Sequence, residues 1–168
     1  MPPSATYDPV PWSAFLQTAA SASAALIGLR FVAISINLRD IVEDQRLVAR
    51  SGKALLSLIG ALFASLLCLA PQQPTRLLAA ELMVLGLVLW AIVLYLLRSS
   101  IRENPHISAF HRVWHIALAY GSTLPFLFAG LSIWRHRGGG LYWMLAGFLF
   151  ALFATLADAW VLLIEIQR

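Results

Sequence analysis

Long apolar stretches decide the fold of this chain, and the first of them, at residues 12–38, reads WSAFLQTAASASAALIGLRFVAISINL. The stretch contains one charged residue, Arg30, and no proline. About 20 helical residues cross a hydrocarbon core about 30 Å thick, so it is long enough to span a bilayer. Lipid offers the backbone no hydrogen-bond partner, and a continuous apolar run without alternation therefore predicts an α-helix.

Four further apolar stretches follow the first, at about 54–70, 76–97, 113–134 and 141–164. Prolines 71 and 74, the polar segment around Pro105 and the glycine run at 138–140 separate them. The composition agrees, because 60% of the 168 residues are hydrophobic and 12% are charged, whereas soluble domains contain about 25% charged residues. The sequence therefore predicts a single all-α domain, a polytopic transmembrane bundle of five spans.

The distribution of Lys and Arg predicts the orientation of the bundle. Eight of the twelve basic residues fall on the side of the 1–2 loop, the 3–4 loop and the C-terminus, and three fall on the other side. Cytoplasmic loops carry the excess of positive charge, so we expect the N-terminus outside, the C-terminus in the cytoplasm and a cytoplasmic helical hairpin at 39–53. Residues 1–11 contain no Lys or Arg, so no cleavable signal peptide is expected.

Ionisable side chains within apolar spans need partners or water, because charge in hydrocarbon is costly. Arg30, His115 and Asp158 all fall in the inner half of the predicted bundle, and Asn37 and Thr155 extend the polar stripes of the first and last spans. We expect these two stripes to face each other, with Arg30 paired to Asp158. Two interpretations stay open: a buried clamp that fixes helix packing, or a polar site lining a water-filled path for protons or anions.

Two other features of the spans bear on packing and contact. Glu81 lies about one turn from the outer end of span 3, where its carboxylate can reach the headgroups.

Spans 1 and 2 each carry small residues at helical spacing, which let helices approach closely within a chain or between chains. These are Ser21, Ala24, Ala25 and Gly28 on span 1, and Ser57, Ala61, Ala64, Ser65 and Cys68 on span 2.

The histidines are weak candidates for a metal site. His111 and His115 are four residues apart and His106 lies just upstream, and two histidines at that spacing can bind a metal from one helix face. However, Arg112 follows the first of them, where a metalloprotease motif has a glutamate. We expect interfacial histidines without a bound metal or other cofactor.

Several function classes lack support in the sequence. It contains no glycine-rich phosphate loop, nucleophile elbow or paired-carboxylate arrangement, so we do not expect an enzyme. The arginines flank apolar blocks instead of forming a basic face, which argues against a nucleic-acid partner. The expected partner is the lipid bilayer, together with another membrane protein or further copies of the chain.

Residues 23–38 read SAALIGLRFVAISINL, and a charged amphipathic loop follows them. This segment resembles a family of small uncharacterised multi-pass membrane proteins of bacteria, frequent in actinobacteria, some of which are labelled modulator of FtsH protease. The matching positions include Gly28, Phe31, Ser35, Asn37 and Glu81, whereas Arg30 departs from the family's apolar preference. The resemblance covers roughly the first 100 residues.

The resemblance implies a location in the bacterial inner membrane and an accessory role near a membrane-anchored protease complex. We therefore expect a small integral membrane protein that acts through protein–protein contact. The alternative is an oligomeric channel or transporter that uses the polar cluster around Arg30 and Asp158. Five spans leave little room for a pathway within one copy, so transport would favour self-association.

Overall fold

A computed structural model describes residues 6–36, 45–103 and 109–166 of the chain. Within these ranges there are five α-helices and no β-strand, as the sequence predicts. A 3-10 helix at Val10–Trp12 precedes them. The α-helices are α1 (Ser13–Ile36), α2 (Gln45–Leu69), α3 (Thr75–Glu103), α4 (Ala109–Arg135) and α5 (Tyr142–Ile166).

The first helix is introduced by a short segment rich in proline. The Asp8 carboxylate accepts a hydrogen bond from the Val10 N–H at 3.0 Å, and the Pro9 carbonyl accepts one from the Trp12 N–H at 3.0 Å. Pro11 is tolerated there, because the first turn of a helix does not use its backbone N–H groups. The chain therefore enters α1 through a tight, hydrogen-bonded turn.

The predicted turn between the second and third spans is present, and proline chemistry explains it. Pro71 disfavours helical geometry in the residue before it, and α2 ends at Leu69. Pro74 directly precedes α3, and its carbonyl accepts hydrogen bonds from the N–H groups of Leu77 at 2.9 Å and Leu78 at 3.1 Å. The two prolines thus end one helix and start the next.

Three of the helices extend beyond the apolar stretches that predicted them. α2 begins at 45 instead of 54, α3 continues to 103 instead of 97, and α4 begins at 109 instead of 113. Hydropathy marks the part of a helix that is apolar, whereas the backbone hydrogen-bond ladder continues through polar residues of good helix propensity. Residues 45–53 of the predicted hairpin are consequently the first turns of α2, whereas residues 37–44 lie outside the described ranges.

The second helix is the centre of the arrangement. α2 contacts each of the other four helices, whereas α1 packs chiefly on α2, and α4 packs on both α3 and α5. Residues 6–12, the 70–74 turn and the 136–141 loop all lie at one end of the bundle, which we call the turn end. The helices therefore run alternately away from and toward the turn end.

Among the side chains whose burial the structure describes, the main apolar cluster lies in the half of the bundle nearest the turn end. All five helices, and the loop before α5, contribute to it, and its fully buried large residues include Leu16, Leu82, Phe126 and Leu141. Alanines fill the closest contacts between helices, with Ala61, Ala64, Ala79, Ala129 and Ala151 almost completely buried.

Large apolar side chains also cover the outside of the bundle. Leu29 and Ile36 on α1 are 67% and 76% exposed, and comparable residues lie on every other helix. These include Phe63, Val84, Phe128 and Leu156. By length and composition, two segments of the described ranges are able to cross a membrane, Val10–Ile36 and Thr75–Leu96, and two shorter apolar helices follow at Leu55–Leu69 and Tyr142–Ala157.

Two glycines allow α3 and α4 to pack backbone against backbone. A Cβ atom at Gly86 would lie 2.6 Å from the Leu127 nitrogen, and one at Gly130 would lie 2.7 Å from the Met83 nitrogen and 2.8 Å from the Ala79 carbonyl oxygen. Atoms of a rigid backbone cannot move aside as a flexible side chain can. Glycine is therefore required at both positions for this separation of the helices.

We expect Gly130→Ala to destabilise the protein by about 1–3 kcal/mol, the range for overpacking a close contact. The control is Gly52→Ala, since no atom lies within 4 Å of a Cβ at Gly52 and alanine is the better helix former by about 1 kcal/mol. The measurement is the midpoint of thermal unfolding of each purified variant. Equal midpoints for the two variants would contradict the close approach of α3 and α4.

Candidate functional site

Arg30 is buried, as the need to shield a charge from lipid predicts. It is 6% exposed and lies on the same face of α1 as the buried residues Leu16, Ala19 and Ser23. Leu29 and Phe31, its neighbours in sequence, are exposed. Because a guanidinium stays charged at any ordinary pH, this arginine places a permanent cation inside the bundle.

Asp158, the predicted partner of Arg30, and two other members of the predicted polar cluster fall outside the part of the structure that is described. This holds for residue Asn37 and for the side chains of His115 and Asp158, although α4 and α5 include the last two positions. The pairing of Arg30 with Asp158 thus stays a prediction.

Thr155 and Glu81 each have a hydrogen bond near their own helix. The buried Thr155 hydroxyl donates to the Ala151 carbonyl at 2.8 Å, one turn earlier on α5. The Glu81 carboxylate accepts a hydrogen bond from the side-chain amide of Gln73 in the 70–74 turn. Glu81 is half-buried at the turn end, and its hydrogen bond links α3 to the turn that precedes this helix.

Buried hydroxyl groups lie between the helices. The Ser57 hydroxyl on α2 and the Ser122 hydroxyl on α4 are 2.9 Å apart and share a hydrogen bond, and Thr123 beside them is also fully buried. Ser65 donates to the Ala61 carbonyl at 2.8 Å. Sequence reasoning named Ser57 but missed Ser122 and Thr123, although two adjacent hydroxyl residues inside an apolar stretch are a visible signal.

The two stripes of small residues have different environments. Every member of the span 2 stripe, from Ser57 to Cys68, is buried against other helices of the same chain. On α1, by contrast, Ser21, Ala24, Ala25 and Gly28 are exposed, and no atom lies within 4 Å of a Cβ at Gly28. On the last span, Gly147 lies against Pro125 and Phe126 of α4. The α1 stripe thus makes no close helix contact within the described chain.

The candidate metal ligands His106, His111 and His115 lie outside the described residues or have side chains outside them. Among the side chains that the structure describes, no group of three or more His, Cys, Asp and Glu residues is arranged to hold a metal. The remaining histidine, His136, is described and lies in the loop between α4 and α5. Its ring meets Tyr7 edge to face, with centroids 5.6 Å apart.

The N-terminal segment is fixed to this same loop at the turn end. The Thr6 carbonyl accepts a hydrogen bond from the Leu141 N–H at 2.9 Å. Gly140 lies directly against it, since a Cβ there would overlap the Thr6 carbonyl oxygen, and its φ of +54° suits glycine. Trp12 packs edge to face on Tyr142, with ring centroids 4.8 Å apart. Residues 6–12 therefore cover the loop before α5.

The side chain of Ser132, near the end of α4, makes two hydrogen bonds to the backbone of the 136–141 loop. Its hydroxyl donates to the Arg137 carbonyl at 2.6 Å and accepts a hydrogen bond from the Gly140 N–H at 2.7 Å. The Trp143 indole N–H donates to the Gly138 carbonyl at 2.7 Å. These bonds hold three consecutive glycines, all with positive φ, in one conformation.

A cavity of about 550 Å³ lies at the turn end, between the N-terminal segment, the 70–75 turn and His136. Asp8, Tyr7, Gln72 and His136 contribute polar groups to its wall. This site is not predictable from the sequence, because its residues come from the N-terminal segment and two separate turns. Arg30, Thr155 and Glu81 do not line it.

We expect the double variant Arg30→Leu with Asp158→Leu to be tolerated far better than either single variant. Removing one member of a buried pair leaves an uncompensated charge, at a cost of about 3–5 kcal/mol, whereas replacing both with apolar residues is often neutral. The yield and unfolding midpoint of each purified variant measure this. A double variant whose destabilisation equals the sum of the two single effects would show that the two side chains do not pair.

The chain was compared with protein-family models, with curated proteins and with solved structures, and nothing matches it in any of the three.

Proposed function

We propose that the chain is a small multi-pass membrane protein with an accessory or regulatory role, which acts through lateral contact with another membrane protein. The observation that carries the membrane part is the apolar outer surface of all five helices. Side chains such as Leu29, Phe63, Val84, Phe128 and Leu156 are each at least 40% exposed. Monomeric soluble proteins rarely expose contiguous apolar patches of more than a few hundred Å².

The interior supports the same proposal. Buried positions include five serines and two threonines besides Arg30, whereas the outward positions are largely apolar. Hydroxyl groups such as those of Ser57 and Ser122 bond across or along the helices. This distribution suits a bundle whose surroundings are as apolar as its core.

The proposed topology has five spans, with the turn end outside and the C-terminus in the cytoplasm of a bacterial inner membrane. The shortest of the five helices has 24 residues, which corresponds to roughly 36 Å at 1.5 Å per residue. Each helix is thus long enough for a hydrocarbon core of about 30 Å. The excess of Lys and Arg at the opposite end supports this orientation.

The exposed stripe of α1 supports the accessory role. Ser21, Ala25 and Gly28 form a shallow strip without large side chains, and α1 itself packs chiefly on α2. Without a hydrophobic force between helices in lipid, small residues favour association because they let two backbones approach closely. We propose that a helix of another membrane protein packs here, and the resemblance of residues 23–38 suggests a membrane-anchored protease complex.

The burial of Arg30 favours a second candidate function. A permanent cation that is 6% exposed inside a bundle is expensive in a membrane and is often found beside ion or substrate pathways. The alternative is an oligomeric channel or transporter in which several copies create the pathway. In that case, the exposed α1 stripe would be the contact between copies.

Cysteine labelling tests the topology. In a Cys68→Ala background, Ser4→Cys should react with a membrane-impermeant maleimide in intact spheroplasts, whereas Gln167→Cys should react only after the membrane is opened. Phe63→Cys, on the apolar outer surface of α2, is the control and should stay unlabelled in both. Labelling of both chain ends from the same side would refute five spans.

Matched variants of two exposed alanines test the proposed contact between the α1 stripe and a helix of another membrane protein. A photo-crosslinking residue at Gly28 should form an adduct with the membrane-anchored protease, and Ala25→Leu should reduce the adduct at least about tenfold, since a large side chain prevents close approach. Ala91→Leu is the control, because Ala91 is exposed on α3. Adducts between copies of the chain alone would instead favour the channel, and equal effects of the two variants would exclude the α1 stripe.

A further inference from the structure

We propose that the cavity at the turn end binds a small zwitterionic ammonium compound, with its ammonium group against Asp8 and its anionic group toward exposed arginines at the rim. The volume of about 550 Å³ is within the range of ligand sites, about 300–1,000 Å³. The site lies on residues other than the α1 stripe, so it does not depend on the accessory role.

The wall of the cavity is amphipathic. Val10, Leu69 and the almost fully buried Leu78 supply apolar surface. Asp8 is the one residue with a formal charge at pH 7 among the described residues that line it, because His136 is counted as neutral. An apolar wall with one carboxylate suits an organic cation better than a hydrated inorganic one.

The Asp8 carboxylate has room for a ligand. One of its oxygens accepts the Val10 N–H at 3.0 Å, and the structure describes no other hydrogen bond to this side chain. The second oxygen is therefore available to accept from an ammonium group. Tyr7 and His136, whose rings meet edge to face, form an adjoining aromatic corner, and the face of a tyrosine ring attracts cations.

Both non-glycine residues with a left-handed backbone in the described ranges line this cavity. They are Gln72, with a φ of 56°, and His136, with a φ of 49°. His136 occupies the position after α4 where glycine is usual. Its N–H bonds to the Ile133 carbonyl and the Arg137 N–H bonds to the Ser132 carbonyl, which is the hydrogen-bond pattern that ends a helix with a left-handed residue. Strained residues of this kind cluster at functional sites.

Three arginines, which carry the opposite charge to Asp8, are sequence neighbours of residues that line the cavity. Arg76 follows the lining residue Thr75, and Arg135 and Arg137 flank His136; all three arginines are exposed. The positive charge of the arginines disfavours a ligand that is only a cation, and the negative charge of Asp8 disfavours a ligand that is only an anion. A zwitterion can place its ammonium group near Asp8 and its anionic group near the arginines. An ammonium linked to a phosphate has this chemistry, and it is available as free phosphoethanolamine or as the headgroup of phosphatidylethanolamine.

The experiment has one arm for each source and uses the full chain. In detergent, isothermal titration calorimetry with phosphoethanolamine tests the free compound. Native mass spectrometry of protein incubated with phosphatidylethanolamine, and separately with phosphatidylglycerol, tests the lipid. We expect saturable binding in at least one arm and preferential retention of phosphatidylethanolamine if the headgroup is the ligand.

Three variants identify the site. Asp8→Asn should weaken binding about tenfold or more, while asparagine can still accept the Val10 N–H. His136→Gly should raise the unfolding midpoint by about 2–4 °C through relief of strain, yet weaken binding through loss of the ring. Glu103→Gln is the control for charge, because Glu103 is the last residue of α3, at the end of that helix away from the cavity.

Failure of both probes to bind the unaltered protein at millimolar concentration would overturn the proposal. Equal weakening by Asp8→Asn and Glu103→Gln would also overturn it, since the effect would then be one of bulk charge. The same holds if His136→Gly is more stable but binds as tightly, because His136 would then have no role beyond the loop.

Discussion

The structure depends on one constraint: inside a bundle with an apolar outer surface, hydrogen-bonding groups need partners within the protein. Of the buried hydroxyls that the structure describes, only that of Ser23 has none. The hydroxyls of Ser57 and Ser122 meet between α2 and α4, and Thr155 bonds to its own helix. Arg30 points inward while its neighbours Leu29 and Phe31 point outward. In α1, α2, α4 and α5, the buried polar residues thus indicate which side of the helix faces inward, since apolar residues are suited to either side.

This constraint explains which parts of the fold were predictable. The existence and order of five helices follow from hydropathy, and the turns at Pro71–Pro74 and Gly138–Gly140 follow from residues that cannot continue a helix. The burial of Arg30 follows from the cost of charge in an apolar medium. Helix ends were less predictable, because the polar first turns of α2 belong to the same backbone ladder as its apolar part.

The candidate sites were less accessible to sequence reasoning, since they depend on which helices are neighbours. The stripes of α1 and α2 both consist of small residues, yet one is exposed and the other buried. The cavity combines Asp8, Gln72 and His136 from three connections that are far apart in sequence. No periodicity joins these residues, because the turn end is created only when the helices pack.

Small residues, and not large apolar ones, determine the separation of the helices in this bundle. At Gly86 and Gly130, the backbones of α3 and α4 approach to distances that exclude a Cβ atom. At Gly140, the chain before α1 approaches the loop before α5 just as closely. Apolar side chains stabilise many alternative arrangements nearly equally, whereas a backbone contact that only glycine permits is satisfied in one arrangement. The glycines therefore specify the register of the helices, and the surrounding leucines and alanines stabilise it.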